Sequence, residues 1–76
     1  ISLENCPNLI KADFPLVTQL PSTCHGFKNC YSIREINLPN LEIIDCDQAF
    51  RDCFQLEKLN IQKVKLVGQH HEHGLN

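Results

Sequence analysis

A cysteine returns in this chain at a spacing of 23 to 24 residues, and the same apolar pattern follows it each time. Three stretches align: Cys6-Pro7-Asn8-Leu9-Ile10-Lys11-Ala12-Asp13-Phe14-Pro15, Cys30-Tyr31-Ser32-Ile33-Arg34-Glu35-Ile36-Asn37-Leu38-Pro39, and Cys53-Phe54-Gln55-Leu56-Glu57-Lys58-Leu59-Asn60-Ile61-Gln62. Apolar residues sit three, six and eight places after each cysteine, and proline closes the first two copies. One such unit is too short to bury its own apolar side. Stacking copies creates a shared interior, and about three copies is the lower limit for this.

The spacing and the L-x-x-L-x-L core predict a β-rich solenoid of the leucine-rich repeat kind: about three coils of 23–24 residues with a short parallel sheet. The whole of 1–76 reads as a single segment, with repeats at about 5–28, 29–51 and 52–76. Within each copy the last three residues of the L-x-x-L-x-L segment alternate apolar, polar, apolar, the period of a half-buried strand. Pro15 and Pro39 follow directly, where a missing N–H is tolerated. A second apolar stretch comes next: Leu16-Val17 with Leu20, Leu41 with Ile43-Ile44, and Val64 with Leu66-Val67. It predicts a second short strand or extended segment on the opposite side of the coil. We read this half as one residue shorter in the first copy, so that turn lengths reconcile a spacing of 24 with one of 23. The pairs Gly26-Phe27 and Ala49-Phe50 then predict tight corners, a small residue beside a phenylalanine plug.

The ladders Leu9/Ile33/Leu56, Ala12/Ile36/Leu59, Phe14/Leu38/Ile61 and Phe27/Phe50 are expected to form the core. The outward positions form columns. Lys11, Glu35 and Lys58 are equivalent and alternate in sign. Asp13, Asn37 and Asn60 form a second column, and Arg34 and Glu57 part of a third beside Ile10. If the chain binds a partner, this strand face is where it does so. The competing reading is a solvated face whose charges satisfy one another. Alternating signs predict no strong steering of an acidic or basic partner.

Seventy-six residues make one small domain at most; 42% are hydrophobic and 21% charged, a globular composition. A net charge of −2 gives no basic stripe for nucleic acid. No apolar run is long enough for a membrane helix, so no membrane insertion is expected. The chain begins with Ile1 and its third copy loses the pattern after Gly68, which reads as a piece of something longer or as a divergent cap. Open ends with apolar edges predict self-association or a covering neighbour.

Five cysteines in 76 residues leave at least one thiol unpaired within the chain. Cys6, Cys30 and Cys53 hold one equivalent position, and free cysteine packs as a small hydrophobe. Reduced, buried thiols are the favoured reading. A Cys24–Cys46 bridge between neighbouring coils is the alternative, since ~5 Å strand spacing lies within disulfide reach. The run His70-His71-Glu72-His73 has the residue types of a zinc site, and His71 and His73 would share a face if extended. The H-E-x-x-H pattern is absent, and a polar terminus without metal is the favoured reading for His70, His71 and His73. No cofactor is expected. No phosphate-binding glycine loop, G-x-S-x-G or paired catalytic carboxylates occur, and the neighbours Cys24 and His25 are not placed by adjacency for nucleophilic attack. A non-catalytic chain is expected.

Ala49-Phe50-Arg51-Asp52-Cys53-x-x-Leu56-x-x-Leu59-x-Ile61 resembles the A-F-x-x-C-x-x-L-x-x-I-x-I repeat of BspA-type leucine-rich repeat proteins. Gly26-Phe27-Lys28-Asn29-Cys30-x-x-Ile33-x-x-Ile36-x-Leu38-Pro39 is similar, with glycine for alanine. The resemblance covers about residues 5 to 68. The chain departs from the family in having fewer threonines and serines on its strands and more cysteines. The resemblance implies a right-handed leucine-rich solenoid, display at the cell surface or secretion, and a role in adhesion or protein binding, with a protein or glycan as ligand. It implies no catalytic residue. A structural spacer within a repeat array, or a metal-linked assembly element using the histidine run, are the alternatives.

Overall fold

The structure, a computed structural model, describes residues 3–46 and 48–67, and for Leu66 and Val67 the backbone alone. Among these residues there are six short strands and no helix: β1 Lys11–Asp13, β2 Gln19–Leu20, β3 Glu35–Asn37, β4 Ile43–Ile44, β5 Lys58–Asn60 and β6 Leu66–Val67. The chain alternates between two parallel three-stranded sheets. One runs β1-β3-β5 and the other β2-β4-β6. Parallel neighbours need a long return path, and here each return path is the other sheet plus its turns.

The register follows the sequence spacing. Lys11 pairs with Glu35 and Glu35 with Lys58; Ala12, Ile36 and Leu59 align, as do Asp13, Asn37 and Asn60. In the second sheet Gln19, Ile43 and Leu66 align beside Leu20, Ile44 and Val67. A third line of backbone hydrogen bonds runs between the corners. The N–H groups of Leu3 and Asn5 donate to the carbonyls of Gly26 and Lys28, and those of Phe27 and Asn29 to Ala49 and Arg51, at 2.6–2.9 Å.

The position of the extra residue differs from the sequence expectation. Both β1–β3 and β2–β4 keep the spacing from Lys11 to Glu35 and from Leu20 to Ile44, so the second half of the first copy is not shortened. The change falls in the following corner, where Pro21–His25 in the first copy stand against 45–48 in the second. A corner can absorb an insertion because it lies outside both sheets. A strand cannot, since a one-residue slip would turn its buried side outward.

Leu16 also departs from expectation. It is 89% exposed rather than part of the buried stretch. The Val17 N–H bonds back to the Phe14 carbonyl, so Pro15 and Leu16 are the central residues of a β-turn. Leu41 to Leu38 and Val64 to Ile61 repeat that bond. Proline at the first central position pre-sets φ, and Leu16, like its equivalents Asn40 and Lys63, stands at the turn tip.

The interior is built from Ala12, Leu20, Phe27, Cys30, Ile33, Ile36, Leu38, Leu41, Ile44, Cys46, Ala49 and Phe50, all buried. Most belong to the middle copy, which is covered on both sides. Leu9, Phe14, Leu56, Leu59 and Ile61 occupy equivalent positions in the outer copies and are half-buried. The Phe27 and Phe50 rings stack 5.8 Å apart, and Phe14 packs against Phe27 at 6.2 Å.

One corner residue recurs in left-handed backbone. Asn5, Asn29 and Asp52 have φ of 62°, 63° and 62°. Asparagine and aspartate tolerate this region better than other side chains. Asn29 sits at the second central position of the Phe27–Cys30 turn, where φ must be positive in a type II turn, and its amide donates to Asn5 Oδ1 at 3.0 Å.

Candidate functional site

The β1-β3-β5 sheet turns Ala12, Ile36 and Leu59 inward and leaves the flanking columns outward. All eight candidate residues lie on or beside these strands. Lys11, Asp13, Glu35 and Asn37 are brought into one network. The Lys11 ammonium lies 3.5 Å from Glu35 and 3.7 Å from Asp13. The Asn37 amide donates both its hydrogens, to Asp13 Oδ1 at 2.7 Å and to Glu35 Oε2 at 2.6 Å. That donation, followed by the nearby Lys11 and Lys58 charges, lowers the Glu35 pKa. Lys58 acts on Glu35 from a distance without forming an ion pair. Arg34 and Glu57 are exposed beside Ile10, and their backbones extend the ladder: the Arg34 N–H bonds to Ile10 and the Glu57 N–H to Arg34. Asn60 is half-buried at the end of its column.

A group whose folded pKa is lowered contributes stability above its unfolded pKa and loses it as pH falls through the folded value. Glu35 should therefore titrate below an ordinary glutamate, and the Asp13–Asn37–Glu35 network should loosen only in acid beyond that point. Side-chain carboxyl NMR will show this. In Asn37→Ala the Glu35 midpoint should rise towards the ordinary value. An unchanged midpoint would remove Asn37 as the cause.

The three equivalent cysteines do more than fill space. The Cys30 thiol donates to the Leu3 carbonyl at 3.1 Å and the Cys53 thiol to the Phe27 carbonyl at 3.2 Å, each reaching the preceding corner. No disulfide joins any of the five cysteines, so the Cys24–Cys46 alternative is not the arrangement seen. Burial raises the Cys30 pKa and pushes Cys53 up to about 11. These are poor nucleophiles at neutral pH, since the thiolate is the reactive form. Stability from a raised group is intact below the unfolded pKa and is lost as pH climbs through the folded one. We expect alkylation of Cys30 and Cys53 by iodoacetamide to be slow in native chain at pH 7.5 and prompt in urea. The fold should weaken as pH climbs from the ordinary thiol value of 9.0 to about 11. Rapid native labelling of Cys53 would contradict the thiol–carbonyl contact.

Sequence reasoning missed one exposed pair. Tyr31 and Phe54 stack at 5.7 Å with their rings 10° from parallel, and Phe54 is 72% exposed. Both directly follow a ladder cysteine, so the equal spacing was the available signal. The Glu4 carboxylate and His25 lie 3.6 Å apart at the first corner. Cys24 is half-buried and its sequence neighbour His25 is exposed. Among the described residues no group of three or more His, Cys, Asp or Glu is placed to hold a metal. His70, His71 and His73 lie outside the described residues. Among the described residues no helix is long and apolar enough to cross a membrane.

Comparison of the chain with known protein families, characterised proteins and solved structures returns no match.

Proposed function

We propose that this chain is a non-catalytic interaction module, a stretch of BspA-like leucine-rich solenoid that contacts a protein or glycan through its β1-β3-β5 face. The observation behind this reading is the row of outward columns. Lys11, Glu35 and Lys58, and Asp13, Asn37 and Asn60, stand in register on a parallel sheet whose other side is packed. Stacked repeats of this kind bind with extended surfaces. Parallel pairing at the repeat spacing in both sheets supports the solenoid assignment, and the Ala-Phe…Cys pattern supports the BspA likeness. Location outside the cell follows from that likeness.

A structural spacer is the second reading. It is favoured by one observation: Lys11, Asp13, Glu35 and Asn37 already satisfy one another. The two separate in one experiment. The chain is used to select partners from a displayed protein library and a glycan array. The combined variant Lys11→Ala, Glu35→Ala, Asn37→Ala and Lys58→Ala is then tested for capture. A binding face loses capture by more than about tenfold, the size of effect that removing a few central contacts produces, while the circular dichroism spectrum is kept. A spacer yields no selected partner, or partners that the variant still captures.

A further inference from the structure

Where β1 and β3 pass into their turns, Asp13, Phe14, Pro15, Asn37 and Pro39 enclose an open groove of about 270 Å³. Its walls are the Phe14 ring and two prolines. A protein cavity of about 150 Å³ accommodates benzene, so the groove has room for one aromatic or branched aliphatic side chain. The prolines fix the turn backbone on both sides, so the groove is pre-formed.

The two polar side chains of the lining, Asp13 and Asn37, present acceptors. Asn37 spends both amide hydrogens on Asp13 and Glu35. Turning that amide over would set its oxygen against two carboxylates, so chemistry fixes its orientation. What remains at the groove is the Asn37 carbonyl oxygen and the Asp13 carboxylate. Lys11 is the nearest cation, but at 3.7 Å from Asp13 it is too far for a tight hydrogen bond and it is 56% exposed. Exposed pairs of this kind are weak and easily exchanged. An incoming cation can therefore take Asp13 without uncovering a buried charge.

We propose that the groove receives a phenylalanine or leucine side chain of a partner polypeptide in which the next residue is lysine or arginine, the cation pairing with Asp13. This rests on the strand-face reading above and names the chemistry of its partner. Apolar walls select the side chain. The Asp13 carboxylate selects the charge, and rejects an acidic neighbour by repulsion.

The test uses the full chain and four blocked peptides: acetyl-Gly-Phe-Lys-Gly-amide, its Phe→Ala and Lys→Glu counterparts, and the Leu-Lys version. Amide chemical shifts are followed to several millimolar peptide, the affinity range for so small a contact, a Kd of about 1 mM. The Phe-Lys and Leu-Lys peptides should shift Asp13, Phe14 and Asn37; the Ala counterpart should bind about tenfold more weakly through the lost apolar contact, and the Glu counterpart about two- to fivefold more weakly, the range of one exposed ion pair. Asp13→Asn keeps the groove's shape and its contact with Asn37, and should erase the preference for lysine over glutamate. No shift at these residues, shifts that map elsewhere, or equal binding of the Lys and Glu peptides overturns the proposal, and the wild-type comparison does so without any variant. If the peptides fail while selected partners still depend on Lys11, Glu35, Asn37 and Lys58, the groove assignment falls and the strand face stands. If the peptides bind and no face-dependent partner is found, the reverse holds.

Discussion

Phe27→Ala should leave the chain largely unfolded at 25 °C. The ring is fully buried between Phe14 and Phe50, and it joins the first copy's strand to the second copy's corner. Removing a buried aromatic costs about 3–5 kcal/mol through lost transfer energy and the cavity left behind. A chain this short has total stability of only about 5 kcal/mol, because small domains bury a smaller share of their surface. The loss is comparable to the whole. Urea unfolding followed by circular dichroism will measure it, with Phe27→Leu expected to retain the fold at a smaller cost. Phe54→Ala is the control. Its ring is 72% exposed, and surface changes usually lie within about 0.5 kcal/mol. Equal effects at Phe27 and Phe54 would contradict the assignment of inside and outside.

Gly26→Ala should destabilise by about 2–4 kcal/mol, combining left-handed backbone strain with a steric clash. Gly26 has φ of 57°, and a Cβ there would lie 2.8 Å from the Ala49 carbonyl oxygen. That oxygen already accepts the Phe27 N–H at 2.6 Å, so relief by moving it would break a rung between the corners. Asn29→Ala keeps a Cβ at φ of 63°, a left-handed position that already accommodates one, and should cost only about 1 kcal/mol. The comparison separates steric closeness from φ alone. A Gly26→Ala urea midpoint equal to wild type would show that the corners do not approach as described.

The columns were legible in the sequence because a parallel sheet converts a repeat spacing directly into a register. Lys11, Glu35 and Lys58 align for the same reason that Cys6, Cys30 and Cys53 recur. The turns were harder to read. Leu16 has the composition of a core residue, and only its place at the second central position of a Pro-initiated turn puts it outside. Its equivalents Asn40 and Lys63 are polar, which was a usable sign. The insertion in the Pro21–His25 corner carried no landmark residue, so spacing alone could not say where the extra position fell. The cysteine ladder read as hydrophobic filling. Its thiol–carbonyl bonds depend on how closely Leu3 and Phe27 of the preceding corners approach, which no single-copy pattern contains. The groove between Pro15 and Pro39 is likewise a property of two turns side by side.

The two columns on the β1-β3-β5 face matter to binding only if the parallel register holds, and nuclear Overhauser contacts test that register most directly. We predict interstrand backbone contacts linking Ala12 to Ile36 and Ile36 to Leu59, with matching contacts between Leu20 and Ile44 in the second sheet. Helical contacts between residues three apart, Ile10 with Asp13 or Arg34 with Asn37, or pairing of Ala12 with a strand other than β3, would contradict the account.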